Sequence, residues 1–232
     1  MIPSEPAPKR RGYRLNRLEA FSDGVFAIAI TLLVLELSIP TGSDGKLLQA
    51  IIDQWPSYLA YVVSFATVGA GWLAHNAITE YMDHVDGTFL RLNLLLLLVV
   101  AFVPFPTRLL AEHLDATDAE RVAVTFYGVT LLMVSLLIAV LWRYAAKFKL
   151  IKPDFDDEEV QVLARRLTPG LGGYVVLIVV GLIWPIAAVV GYLAIAFFFL
   201  IPFPFRNRGQ SSSRRGLNRY DAPYEPPPTA EP

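Results

Sequence analysis

Ser22 and Asp23 stand side by side in Arg17-Leu-Glu-Ala-Phe-Ser-Asp-Gly-Val-Phe-Ala-Ile-Ala-Ile-Thr-Leu-Leu-Val-Leu-Glu36, a segment that is otherwise apolar and long enough to cross a bilayer. The hydrocarbon core needs about 20 apolar residues per helix, and an ionisable group inside such a helix marks an ion pathway or a buried network. Two roles are open to Asp23. It either caps the helix N-terminus, where free amides and the helix dipole favour a carboxylate, or it joins a polar network at the ends of neighbouring segments. Arg17, Ser22, His75, Arg91 and Asn93 all fall at such ends. A buried carboxylate needs a cation or several donors; His75 and Asn93 offer donors, Arg17 or Arg91 the charge. Arg17 and Asp23 lie on different faces of one helix, which argues against a pair within it. His75 also titrates near neutrality, so Asp23 and His75 are the carriers that a proton-coupled or proton-conducting secondary transporter would use.

Other chemistries find no residues to serve them. Without cysteine there is no disulfide, thiolate metal site or cysteine nucleophile. The apolar segments hold no paired carboxylates, nucleophile–base constellation or metal-ligand spacing, and the loop around His113 is too poor in ligands for a metal site. An enzyme, a cofactor, a bound metal and a nucleic-acid partner are therefore not expected. A transporter of the inverted-repeat kind would show two similar halves with broken helices near the midplane, and neither pattern is visible.

The elements that must position these residues are membrane helices. With 54% hydrophobic and 18% charged residues in 232, the chain is too apolar for a soluble domain of its size. Six apolar segments are expected to span, at about 18–37, 55–77, 89–110, 122–145, 171–184 and 186–203, the last two turning sharply at Pro185. The fold class is thus all-α and polytopic, with a six-helix domain over 14–205 between tails, 1–13 and 206–232, whose Pro, Ser and Arg content predicts disorder. Basic residues crowd both tails and the loop after the fourth segment, whereas the loops at 38–54 and 112–120 carry few. By the positive-inside rule both termini are cytoplasmic and the chain is a multi-pass protein of the cell membrane. The acidic run Asp154, Asp156, Asp157, Glu158, Glu159 is expected to open a helix on that same side.

At about 100° per residue, Phe21, Val25, Ile28, Leu32 and Leu35 share one face of the first helix, with Gly24 and Thr31 at its margin and Asp23 turned away. Such a stripe is either a packing or lipid-facing surface or the wall of a pore narrowed by branched aliphatic rings, where passage depends on width and dewetting. Glu36 ends the stripe; it is either a solvated helix end or, repeated in several copies, a collector of cations at the mouth.

Arg17-x-x-x-Phe21-Ser22-Asp23-Gly24, continued by Val-Phe-Ala-Ile-Ala-Ile-Thr-Leu, resembles the signature of the transmembrane protein 175 family of potassium channels in its prokaryotic single-repeat form. The resemblance extends to Trp72-x-x-His75, Arg91-x-Asn93 and Pro104-Phe105-Pro106-Thr107, covering about residues 14–110. It implies a homotetramer with potassium as the permeant ion, embedded in membrane lipid, the first helix of each subunit lining the four-fold axis. It implies a constriction or gate at Ile28 with further layers at Leu32 and Leu35, and a polar layer at Thr31, which is the candidate for selectivity. Arg17, Phe21, Ser22, Asp23, His75 and Asn93 then form a structural polar network holding that helix. From Ile28 to Leu35 an α-helix rises about 10 Å.

Overall fold

The computed structural model describes residues 15–38, 46–114, 117–167 and 169–201; the expected tails lie outside them. These residues are all helical apart from short connections and one isolated bridge. In chain order the helices are α1 (Leu15–Leu32), α2 (Leu47–Asp53), α3 (Trp55–Tyr81), α4 (Gly87–Phe102), α5 (Pro104–His113), α6 (Thr117–Lys147), α7 (Asp157–Leu167), α8 (Pro169–Gly181) and α9 (Pro185–Leu200), with a 3-10 turn over Leu33–Glu36 after α1. Among the described residues five stretches are long and apolar enough to cross a membrane: Leu15–Glu36, Trp55–Tyr81, Gly87–His113, Ala119–Lys147 and Glu158–Gly181, the shorter apolar α9 following them.

The expected segment boundaries shift where proline or a cap decides them. The first helix starts at Leu15, so Asp23 sits in its third turn and cannot cap it. The third segment, expected over 89–110 with a break at Pro104 and Pro106, is two helices within one apolar stretch. Pro104 has no amide to give the carbonyl of Val100, which accepts from Val103 instead at 3.1 Å, and the chain re-enters α-geometry as α5. Thr107 returns its hydroxyl to the carbonyl of Val103 at 2.8 Å. At the last pair the expected turn lies at Leu182–Trp184. Trp184 donates to the carbonyl of Val180 at 2.7 Å, and Pro185 opens α9 at the position where its missing N–H costs nothing.

Two apolar cores join these helices. One gathers Leu18, Phe26 and Ala29 of α1 and Leu33 of the 3-10 turn with α3, α4, α6 and α7; the other unites the opposite half of α3 with α5, α6, α8 and α9 around Tyr127, Tyr174 and Tyr192. Close approach in the second core requires glycine: a Cβ at Gly128 would collide with the Tyr192 hydroxyl, and one at Gly191 with the Leu177 side chain. Where α3 leaves the bundle, the backbone amides of Asp83 and Lys152 donate to the carbonyls of Leu150 and Tyr81, each at 2.9 Å, and the Tyr81 and Phe155 rings stack 4.1 Å apart. Of the acidic run, Asp156 and Glu159 form a reciprocal capping box at the start of α7.

Asp86 caps α4. One carboxylate oxygen accepts from the Phe89 amide at 2.7 Å and the other from the Tyr144 hydroxyl of α6 at 2.7 Å. Partial burial alone would raise this carboxyl, but the hydrogen bonds outweigh it and hold it below its ordinary 3.8. Asp86→Ala is expected to cost about 1 kcal/mol, within the range for lost N-caps, read as a lower melting temperature in detergent. Because the folded value is depressed, the carboxylate's contribution is complete above pH 3.8 and fades as pH falls through the lower folded value. The gap between the wild type and the variant should therefore close in acid.

Candidate functional site

Helix α1 is held from one side. Leu18, Ser22, Phe26, Ala29 and Leu33 recur every three or four residues and are buried, against α3 and α4. The opposite side is open, with Phe21 56%, Ile28 60%, Leu32 39% and Leu35 70% exposed. Val25, expected on that stripe, is half-buried against the first core. Thr31 is exposed beside Ile28 and donates its hydroxyl to the Ile28 carbonyl at 2.9 Å, which leaves the oxygen lone pairs facing outward. Asp23 is exposed as well, but at helical period it lies on a different flank from Ile28, Leu32 and Leu35.

On the buried side three polar side chains meet from three helices. His75 of α3 and the Asn93 amide oxygen of α4 are 2.9 Å apart, and the Asn93 amide nitrogen donates to the Ser22 hydroxyl of α1 at 3.0 Å. All three are at most 2% exposed. An amide oxygen only accepts, so neutral His75 holds its proton on Nε2 and donates it; Nδ1 is buried without a hydrogen-bond partner. The Phe26 ring lies against the imidazole, centroids 5.7 Å apart.

The hydrogen-bonded set differs from the sequence expectation in its charges. Ser22, His75 and Asn93 come together, whereas Arg17, Phe21, Asp23 and Arg91 are exposed. Asp23 takes its hydrogen bond from the Trp72 indole at 2.9 Å. A neutral chain can be buried without a counter-ion, and an exposed carboxylate needs none, which is why the arginines are not drawn in. Trp72 had no role in the expected network. Its signal was its place three residues before His75, which turns it to a neighbouring face of α3.

At the far end of α1, Arg108 of α5 lies between two carboxylates, 2.7 Å from Glu112 and 3.9 Å from Glu36. These side chains border a cavity of about 490 Å³, also lined by Leu35, Asp53, Gln54 and Ser57. No cluster of three or more metal-ligating side chains occurs among the described residues.

The chain resembles known proteins along most of its length. A family model described as endosomal/lysosomal potassium channel TMEM175 matches residues 17–104. A potassium channel of Streptomyces collinus is 42% identical over 161 residues, covering 68% of this chain and 78% of that protein. One from Chamaesiphon minutus is 41% identical over 188 residues, covering 78% and 92%. The crystal structure of a lysosomal potassium-selective channel TMEM175 homologue, also from Chamaesiphon minutus, superposes with a TM-score of 0.73 at 38% identity, covering 80% of this chain and 96% of that one.

Removing Asn93 tests the buried chain. Asn93→Ala strands the His75 Nε2–H and the Ser22 hydroxyl without the amide and should destabilise the protein by about 1–3 kcal/mol. Trp72→Phe removes only a bond to the exposed Asp23 and should stay within about 0.5 kcal/mol. Thermal melts of the two purified variants in detergent measure both.

Proposed function

This chain belongs to the TMEM175 family of potassium channels, and from that membership we propose that it conducts potassium passively through a pore walled by α1 from four copies. The reading has six crossings per subunit, α8 and α9 forming the last two, with both termini on the cytoplasmic side of the cell membrane. The observation that carries it is the open face of α1, where Ile28, Leu32 and Leu35 are exposed in a row beside Thr31. A lipid-facing surface would leave the Thr31 oxygen in hydrocarbon, away from water. Facing a shared axis, the hydroxyl meets water and the aliphatic groups meet their counterparts.

The constriction then lies at Ile28, followed by layers at Leu32 and Leu35. The helix tightens to 3-10 winding over Leu33–Glu36, so this throat is about 12 Å long instead of 10. Branched aliphatic rings supply no ligands, and a narrow apolar throat gates by dewetting. A permeating cation must keep part of its water or surrender it. Potassium surrenders water more readily than sodium because its charge is spread over a larger ion, so the throat favours it modestly. Thr31 supplies oxygens at the margin of this path and is the place where a partly dehydrated ion is compensated. Ser22, Asn93 and His75 hold the helix in register from behind. In the alternative, proton-coupled reading, Asp23 and His75 pass protons to one another; the hydrogen bonds of the two residues run instead to Trp72 and to Asn93.

Purified protein in liposomes with a potassium gradient should discharge it, with unitary currents in planar bilayers. Absence of any cation current overturns the reading, and saturable, proton-dependent flux favours the carrier. Ile28→Asn, which wets the constriction, should raise conductance severalfold; unaltered conductance moves the gate elsewhere. Thr31→Val should lower the potassium preference, seen as a reversal potential closer to zero between potassium and sodium solutions. An unmoved reversal potential removes Thr31 from selectivity.

A further inference from the structure

Glu36 is not a free carboxylate at the end of the aliphatic stripe. It is the more buried partner of an ion pair, its side chain 21% exposed against 63% for Arg108. The guanidinium is shared: Nε binds Glu112 at 2.7 Å and lies 3.9 Å from Glu36. Asp53, the third carboxylate on the cavity wall, accepts from the Gln49 side chain at 2.7 Å. One cation thus stands among three carboxylates in a polar cavity that opens directly beside Leu35, the last residue of the exposed stripe.

We infer that Arg108 sets the electrostatic potential of the outer pore mouth, holding down the cation-attracting field of Glu36 and Glu112 and so limiting the rate at which potassium enters from that side. The inference rests on α1 lining the pore. A charge at a narrow, low-dielectric entrance changes the local cation concentration, and unlike a contact it acts at a distance that salt controls. The screening length is about 30 Å at 0.01 M salt and about 3 Å at 1 M. Arg108 therefore matters most in dilute potassium and for ions arriving from the Glu36 end. The geometry also separates charge from shape, because lysine keeps the charge and loses the planar fork.

Unitary currents of wild type, Arg108→Gln, Arg108→Lys and Glu36→Gln in planar bilayers test this at about 0.01 M and about 1 M potassium. Arg108→Gln should raise current entering from the Glu36 side severalfold in dilute potassium, leave the opposite direction nearly unchanged and lose its effect at high salt. Glu36→Gln should lower the same current, and Arg108→Lys should match the wild type. An Arg108→Gln channel that conducts as the wild type does, or one altered equally in both directions at both salt concentrations, overturns the inference while leaving the potassium pore intact. Should the Arg108→Gln protein fail to assemble, Glu36→Gln decides: a current lowered only from that side and only in dilute potassium supports the inference, and any other current overturns it. A wild type without current overturns the pore reading as well.

Discussion

The hydrogen-bonded chain from Ser22 through Asn93 to His75 is the constraint on which the working face of α1 depends. Each member is buried on a different helix, and each would suffer the desolvation of an unmade bond if α1 rotated or slid. Apolar contacts alone do not specify register in a membrane, since a leucine surface packs about as well against lipid as against another helix. A directional chain does, because its distances of 2.9 and 3.0 Å tolerate little displacement. Fixing Ser22 inward turns Ile28, Leu32 and Leu35 outward, where all three are exposed.

The remainder of the bundle supplies a frame for that fixed helix. Backbone groups at membrane depth must be satisfied within the chain; at Pro104 the Val103 amide fills the Val100 carbonyl, and at the turn before Pro185 the Trp184 amide donates to Val180. Glycines let α6, α8 and α9 approach closely, with Gly128 lying under Tyr192 and Gly191 under Leu177. The two cores meet along α3 and α6, which reach both ends of the bundle. Against this frame α1 is attached along a single face, as only 28% of its apolar stretch is buried compared with 50% in Trp55–Tyr81.

Charge is distributed in keeping with that division. The buried chain is built from hydrogen bonds without an ion pair, its imidazole placed by an amide, so nothing in it requires a counter-ion. The carboxylates lie where water reaches them, Asp23 next to Trp72 and Glu36 next to Arg108. The buried hydrogen-bonded groups and the exposed carboxylates are thereby kept apart. The acidic residue that first stands out in the sequence belongs to the exposed set.

The sequence by itself determined the class, the helices and the stripe. Apolar length and the lysine and arginine distribution depend only on composition along the chain, and the recurrence of Ile28, Leu32 and Leu35 depends only on helical period, so both are legible without a fold. The motif residues were legible as a set. Which of them touch was not, because Ser22, His75 and Asn93 are brought together by the packing angles of three helices, and side-chain spacing along one chain contains no such angle. The same holds for the pairing of Asp23 with Trp72 and of Glu36 with Arg108, each joining residues far apart in sequence. That α1 is already helical at Leu15, which removes Asp23 from the cap, goes with the burial of Leu18 in the first core. Period and composition are local properties; partnership between polar groups is settled only when burial chooses which of them must be satisfied.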